Sequence, residues 1–396
     1  MPVQPAIKAA MSKTFRVGMI GYRFMGKAHS NAWRQVNRFF PELPARIELD
    51  TICGRNTAEV LRAREAFGWQ RAETDWRNVV ADPRIDIIDI TTPNDTHAEI
   101  AIAAAKAGKA VLCEKPLART VAEAQKMVAA VKKARVVNMV CHNYRRIPAV
   151  ALARQMIENG ELGSRIYHYR ARYAQDWLAN PDFPLTWRLQ KHIAGSGAHG
   201  DIDAHIIDLG RHLVGEFTEV CGLMETFVKE RPLPQGSEAG RDSRAGAKTG
   251  KVTVDDAVSW IGRFANGALA NLEATRFALG RKNNITFEIN GEKGSLAFDF
   301  EDMNRLKFFS ADAPPGRRGF TDILATDREH HPFAKNWWPP GHIVGYEHTF
   351  VNTFADFVAA VAKGASVQPT FDDGLQNQRV LEAIEKSAMS RKWVKV

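Results

Sequence analysis

Through the first third of the chain, short apolar runs alternate with stretches in which apolar residues recur every three or four positions. The runs are residues 15–20, 47–53, 85–90, 110–113 and 136–141, and the third reads Ile-Asp-Ile-Ile-Asp-Ile. Short, nearly continuous apolar segments bounded by turn residues are the pattern of strands buried on both faces. Between them, the segment through Trp33 and Val36 and residues 57–67, 96–107 and 121–134 carry the period of helices buried along one stripe. Strand and helix in strict alternation predict a parallel sheet clothed by helices, an α/β domain of the Rossmann type over residues 15–142.

From about Tyr144 the period changes. Residues 165–175, 218–228, 257–264, 268–275, 285–289 and 295–300 read as strands. Asn266-Gly267 and Asn290-Gly291 stand between strand pairs. Both dipeptides tolerate φ > 0, so each predicts a hairpin, and hairpin-linked strands are antiparallel. The expectation over residues 143–348 is an α+β domain with an open, mainly antiparallel sheet that binds substrate and supports oligomerisation. Residues 231–251, rich in glycine and charge, predict a mobile loop. From Thr349 the helical period returns through Phe350, Phe354, Phe357, Val358 and Val361, with a second helix over 374–386. This segment, 349–396, is expected to pack back toward the first domain. Residues 1–14 lack the apolar stretch of a secretory signal and are expected to form a disordered leader, with Met11 as an alternative start. There is no internal repeat.

Composition narrows the class. The chain is 45% hydrophobic and 25% charged, and no apolar run reaches the ~18–20 residues of a transmembrane helix. A cytoplasmic protein with no membrane partner is expected. Cys53, Cys113, Cys141 and Cys221 show no C-x-x-C spacing, which favours reduced core thiols over a metal or redox site. The net charge of +9 comes from scattered Lys and Arg without a basic arm or a nucleic-acid motif. No nucleic-acid partner is expected; an anionic cofactor or substrate accounts for the charge equally well.

The clearest chemical signal is Gly21-Tyr22-Arg23-Phe24-Met25-Gly26, which follows the first strand and opens a helix. That is the setting of a dinucleotide fingerprint: one glycine for the tight turn, another for close helix–strand packing, and helix N–H groups for the pyrophosphate. Arg23 replaces the middle glycine. The second strand ends Cys53-Gly54-Arg55-Asn56, where an acidic residue normally holds the ribose. Arg55 stacks on adenine, binds a 2′-phosphate, or both, so the cofactor is read as NAD or NADP with NADP at least tolerated.

Glu114-Lys115-Pro116 follows the fourth strand and Thr92-Pro93-Asn94-x-x-His97 the third. Downstream stand Asn143-Tyr144-Arg145-Arg146-x-Pro148, the stretch Leu185-Thr186-Trp187-Arg188-Leu189-Gln190-Lys191, and Gly195-Ser196-Gly197-Ala198-His199-Gly200-Asp201-x-x-x-His205. With the fingerprint and the hairpin over 285–294, these resemble the glucose–fructose oxidoreductase / inositol dehydrogenase / rhizopine-catabolism (Gfo/Idh/MocA) family over nearly the whole chain after residue 14. The resemblance implies an NAD(P)-dependent enzyme that moves hydride between the nicotinamide and a secondary alcohol carbon, C3, of a cyclic sugar, anhydrosugar or polyol. It also implies a homodimer or homotetramer and a cis Lys115–Pro116 bond. A second reading uses the same residues: an NAD-dependent glycoside hydrolase working through a transient 3-keto intermediate. A third, a silent NAD(P)-binding regulator, has no need of the polar set described next.

Lys115 lies past the carboxyl end of a buried parallel strand, where open α/β sheets place their ligands. Near a cationic nicotinamide in a partly dry cleft, a lysine is expected to lose its proton more easily, as a base must. Asp201 and His205 are four apart and share a helical face, where a carboxylate can fix and strengthen an imidazole. The resemblance implies that His205 contacts the reacting hydroxyl and that Asp201 binds substrate or positions the base; the acid–base role is open to Lys115 and His205 together, and the sequence does not divide it between them. The expected cofactor contacts are Gly21, Arg23, Phe24, Met25, Gly26, Arg55, Thr92, Pro93, Asn94, His97, Glu114 and Lys115. The expected substrate contacts are Tyr144, Arg146, Trp187, Arg188, Lys191, Asp201 and His205, with Trp177, Trp337 and Trp338 as further walls for a sugar ring or as core. His192, His199, His205 and Asp203 match no zinc spacing, so no metal is expected.

Overall fold

The computed structural model describes residues 13–235 and 245–396. The first domain is a six-stranded parallel sheet built from β1 (Lys13–Ile20), β2 (Ala45–Cys53), β3 (Arg71–Glu73), β4 (Ile87–Ile90), β5 (Ala110–Cys113) and β6 (Asn138–Val140). Its order is β3-β2-β1-β4-β5-β6, so the strand order reverses between β1 and β4. That reversal is the switch point at which such sheets open a crevice for ligands. α1 (Phe24–Phe39), α2 (Thr57–Phe67), α3 (Trp76–Ala81), α4 (His97–Lys106) and α5 (Val121–Ala134) connect the strands. The helix boundaries follow local chemistry. Asn56 and Thr120 accept from Glu59 N and Glu123 N as N-caps, and α2 ends at left-handed Gly68, φ 78°. β1 begins at Lys13, two residues inside the segment expected to be a leader; residues 1–12 lie outside the described residues. β3 and α3 carry too little apolar periodicity to be legible: β3 is only Arg-Ala-Glu.

The second domain adds α6 (Pro148–Glu158), β7 (Ile166–Ala174), α7 (Lys191–Ala194), a π-helical turn (His199–Asp203) running into α8 (Ala204–Leu213), and the strands β8 (Phe217–Glu225) to β16. These are β9 (Glu230–Pro234), β10 (Ala245–Lys251), β11 (Ala257–Phe264), β12 (Leu269–Thr275), β13 (Asn284–Gly291), β14 (Gly294–Asp299), β15 (Arg305–Ser310) and β16 (Thr321–Leu324). A nine-stranded sheet runs β16-β15-β14-β13-β7-β12-β11-β8-β17, where β17 (Val394–Lys395) closes the chain. It is antiparallel except at its centre, where β7 and β12 pair in parallel. Tyr169, Ala171, Trp260, Leu272 and Phe287 form its buried face, against α6 and α8. The opposite face presents Arg170, Arg263, Ile261, Leu269 and Leu223 to solvent.

Two expectations require correction. The β13–β14 turn is not Asn290-Gly291: Asn290 pairs with Ser295, and the chain turns at Glu292-Lys293. Gly291 instead allows close approach, since a Cβ there would sit 2.4 Å from the Leu162 carbonyl oxygen. Residues 231–251 are not simply a loop. β9 and β10 form an antiparallel ladder, while residues 236–244 lie outside the described ones. A buried Arg231 pins that ladder by donating to the carbonyls of Leu178 (2.6 Å) and Asn180 (2.7 Å). Its anchor is a charge, so no apolar stripe announced it.

The chain then returns through α9 (Tyr346–Lys363) and α10 (Phe371–Ser390). α9 lies along α1 in the first domain, with Phe354 against the rings of Trp33 (4.3 Å) and His29 (5.0 Å). α10 begins in the core of the first domain with Phe371 and Leu375 and ends in that of the second with Val380, Leu381 and Ile384.

Candidate active site

The turns at the carboxyl ends of β1, β2, β4, β5 and β6 gather at the switch point. Gly21 sits at φ +116°, and a Cβ there would lie 2.4 Å from Thr91 Oγ1; one on Gly26 would lie 2.6 Å from the Gly21 carbonyl. The two glycines therefore let the strand end, the turn and α1 close on one another, as the fingerprint requires. Gly54 is needed for another reason. A Cβ at this position would fall 2.0 Å from the Tyr22 ring, so an acidic residue fits there only if that ring moves aside. Tyr22 Oη donates to Glu59 (2.8 Å) and Arg23 pairs with the same carboxylate (2.9 Å). Phe24 is exposed at the head of α1. Arg55 is exposed beyond β2, close enough for its charge to act on Asp95 across the crevice. After β4, Asn94 donates across the domains to the Ala194 carbonyl (2.8 Å).

His97 is placed differently from expectation. It is fully buried, with Nδ1 3.0 Å from the Pro116 carbonyl and Nε2 3.0 Å from that of Thr92. The ring braces the two turns against each other and does not face the crevice.

The Lys115–Pro116 peptide is cis. Lys115 Nζ donates to the Asp201 carbonyl (2.7 Å) and to Asp201 Oδ1 (2.9 Å). Arg276 Nη2 donates to the other oxygen, Oδ2, at 2.6 Å. Burial would raise the Asp201 carboxyl, but Lys115, Arg276 and Arg188 beside it hold it well below the usual carboxylate range. The Lys115 and Asp201 side chains keep 13% and 27% of their surface, so a small molecule can reach the cluster.

His205 packs against Tyr144 (4.5 Å between ring centres), Tyr173 (5.8 Å) and His142 (5.9 Å). Burial, then the charges of Lys115 and His142, push its pKa well down, so the ring is neutral at pH 7. It does not pair with Asp201 as expected. The π-helical turn widens the backbone just before α8 and sends Asp201 to Lys115; such turns recur at functional sites. The carboxylate–imidazole pair at four-residue spacing is His199–Asp203 (2.9 Å), a buried core pair that also takes the Trp260 indole. Asp255 fixes the start of this segment by accepting from Gly197 N and His199 N, both at 2.7 Å. A run of hydrogen bonds, Tyr144–Tyr173–Asn283–Gln175–Trp177, extends the polar wall away from His205.

Beneath Lys115 lies a second cluster. His29 Nδ1 meets Asp89 (2.9 Å), its Nε2 meets Glu114 (2.9 Å), and the Trp33 indole donates to Asp89 (2.7 Å). Burial would lower the His29 pKa, yet Asp89 raises it well above the ordinary value. The result is an imidazolium between two carboxylates, which fixes Glu114 and the turn bearing Lys115. His29, Glu114 and Cys141 offer donor atoms within 4.8 Å of one another, a geometry compatible with a metal, but the direct His29–Glu114 bond already satisfies it. All four cysteines are free.

Several expected substrate residues face elsewhere. Arg146 is buried against Asp356 (2.7 Å) and the Gln368 carbonyl. Lys191 pairs with Glu385 in a groove lined by α5, α7 and α10. Trp337 is core, packed on Phe39 and bonded to Asn352, and Trp338 edges the same Phe39. Trp187 carries the Arg188 guanidinium over its ring at 4.4 Å, and the Arg188 charge acts on Asp201. Sequence reasoning missed Arg276, His142, Tyr173, Asn283 and His29. Only His29 left a trace, as a polar residue one turn before Trp33 on the buried stripe of α1.

Residues 15–142 match the oxidoreductase family with an NAD-binding Rossmann fold, and residues 150–297 match the GFO/IDH/MocA C-terminal domain. The chain is 46% identical over 387 residues to levoglucosan dehydrogenase of Pseudarthrobacter phenanthrenivorans, covering 97% of this chain and 98% of that one. A solved structure of levoglucosan dehydrogenase in complex with NADH and levoglucosan superposes with a TM-score of 0.92 at 45% identity, over 97% and 99% of the two chains. An oxidoreductase domain protein from Kribbella flavida superposes with a TM-score of 0.91 at 51% identity over the same shares.

Proposed function

This chain belongs to the Gfo/Idh/MocA family of NAD-dependent sugar and polyol dehydrogenases, and from that premise we propose that it oxidises the C3 hydroxyl of a cyclic sugar or anhydrosugar, levoglucosan being the first candidate. Bound NAD(P) supplies the hydride acceptor, and the Gly21–Gly26 turn, whose two glycines leave no room for a Cβ, suits its pyrophosphate.

The observation that carries the reading is the bonding of Lys115. Both partners of Nζ, the Asp201 carbonyl and Oδ1, are acceptors. A neutral amine satisfies them with its two N–H bonds and keeps its lone pair for the hydroxyl proton. As the C–H bond gives up hydride, the O–H proton passes to Lys115 Nζ and the carbon becomes a carbonyl. Neutral His205 holds the same hydroxyl by a hydrogen bond. Asp201 stays ionised and steadies the ammonium that forms. Tyr144, Trp187 and Arg188 border the sugar, and Arg55 lets NADP serve beside NAD. The glycosidase alternative draws no support from the comparisons. The reduced thiols fit a cytoplasmic setting, and among the described residues no helix is long and apolar enough to cross a membrane. The working form is a homodimer or homotetramer.

The test has two parts. NAD(P) reduction is screened against levoglucosan, other anhydrosugars, free sugars and inositols, and Lys115→Met is then assayed on the best substrate. Removing a general base costs roughly 10²–10⁴-fold in turnover, with NADH still bound. A Lys115→Met enzyme turning over near the normal rate would remove this lysine from the mechanism.

A further inference from the structure

Arg276 stands just past β12, outside the set of residues expected in the site. It is 1% exposed, its guanidinium lies over the Trp177 ring (5.2 Å), and its Nε and Nη1 have no hydrogen-bond partner among the described residues. Burying a guanidinium with a single hydrogen-bonded nitrogen is costly. That nitrogen is bonded to Asp201 Oδ2, on the same carboxylate that holds Lys115 through Oδ1.

We infer that Arg276 is a positioning residue which fixes the Asp201 carboxylate and shares its charge, so that Lys115 can release its proton. Were Asp201 paired with Lys115 alone, the full carboxylate charge would favour the ammonium and work against a base. A second, permanent cation on the other oxygen offsets that charge and also repels a proton on Lys115. Arg276 suits the task because a guanidinium does not itself titrate in the working range. The remaining ionisable groups around Lys115 come from several elements. Glu114 lies at the end of β5, His142 after β6, His205 on α8, and Arg188 acts on Asp201 from before α7. Of these, only Arg188 shares with Arg276 a permanent positive charge. The inference deepens the proposed role of Lys115 as base, but its test is read without turnover, so either can fail alone.

The experiment is competitive trace labelling of Lys115 with acetic anhydride across pH, read by mass spectrometry on the holoprotein and the free protein. Arg276→Met removes a cation, so the midpoint of Lys115 reactivity should move up by about one pH unit, within the range for one nearby charge. Asp201→Asn removes the anion and should move it down. Arg276→Lys, which keeps the charge, should restore most of the original midpoint. Arg276→Gln keeps an N–H for Asp201 without charge and serves if the methionine variant does not fold. A midpoint unchanged in both neutral variants, with NADH binding and melting temperature preserved, would overturn the inference and leave Arg276 as packing alone.

Discussion

With Gly54 under the Tyr22 ring, the end of β2 lacks the carboxylate that would repel a 2′-phosphate. The nearest charge after that position is Arg55. If Arg55 binds the phosphate, Arg55→Ala should selectively cost NADP about 1.5–3 kcal/mol in kcat/KM, the worth of a charge-assisted hydrogen bond. Equal losses for NAD and NADP would mean stacking on adenine instead. At this scale, Lys115 was expected past the end of the fourth buried strand and Asp201 at the substrate or beside the base, and the structure brings the two into contact. Asp201 and His205 were expected to pair on one helical face, and the structure separates them. The four-residue rule assumes α-helical geometry, and the π-helical turn breaks it. Arg146 and Lys191 were misread because their partners, Asp356 and Glu385, are far away in sequence. Arg276 belongs to no motif at all.

The elements themselves were read with uneven success, for physical reasons. Residues 57–67 and 121–134 are helices with the expected limits, because caps and apolar stripe agree. β15, β16 and the β9–β10 ladder escaped notice because partly exposed strands alternate weakly. The end of β6 carries its own consequence. It buries His142, whose pKa burial lowers to about 4, with Asp208 opposing. The folded form thus holds fewer protons than the unfolded chain between pH 4 and the ordinary histidine value of about 6.5. The stability His142 supports is complete above that window and lost as pH falls through it, on the order of 3 kcal/mol. His205 and His97 act in the same direction, while His29 and His199, raised by their carboxylates, act oppositely and lose their contribution as pH rises. Urea unfolding from pH 4.5 to 7 should show stability rising with pH, and His142→Phe should flatten the slope by up to one proton. An unchanged slope would place the titration elsewhere.

For the whole molecule, the two-domain plan was visible in the switch from alternating strand and helix to hairpins. The parallel β7–β12 pair was not, because residues 175–268 separate strands that end up side by side. The outer face of the large sheet carries Leu223, 70% exposed, with Ile261 and Leu269 nearby, set among Arg170, Arg263, Glu219 and Glu288. Apolar residues framed by charges of both signs suit a second copy of the chain. Sedimentation at micromolar concentration should show a dimer or tetramer, and Leu223→Glu with Ile261→Glu should dissociate it; a monomeric parent protein would contradict this. The docking of α9 onto α1 also bears on how the protein is made. Trp33 and His29 are sealed by Phe350 and Phe354, which the ribosome delivers only after eight of the nine strands of the second sheet, roughly 15–60 s later at ordinary synthesis rates. The nucleotide-binding half must therefore wait, half-built, with an aromatic seam open to chaperones. A fragment of residues 13–142 should bind a hydrophobic dye and melt without cooperativity, and a sharp melt would show that the nascent domain needs no such guardian.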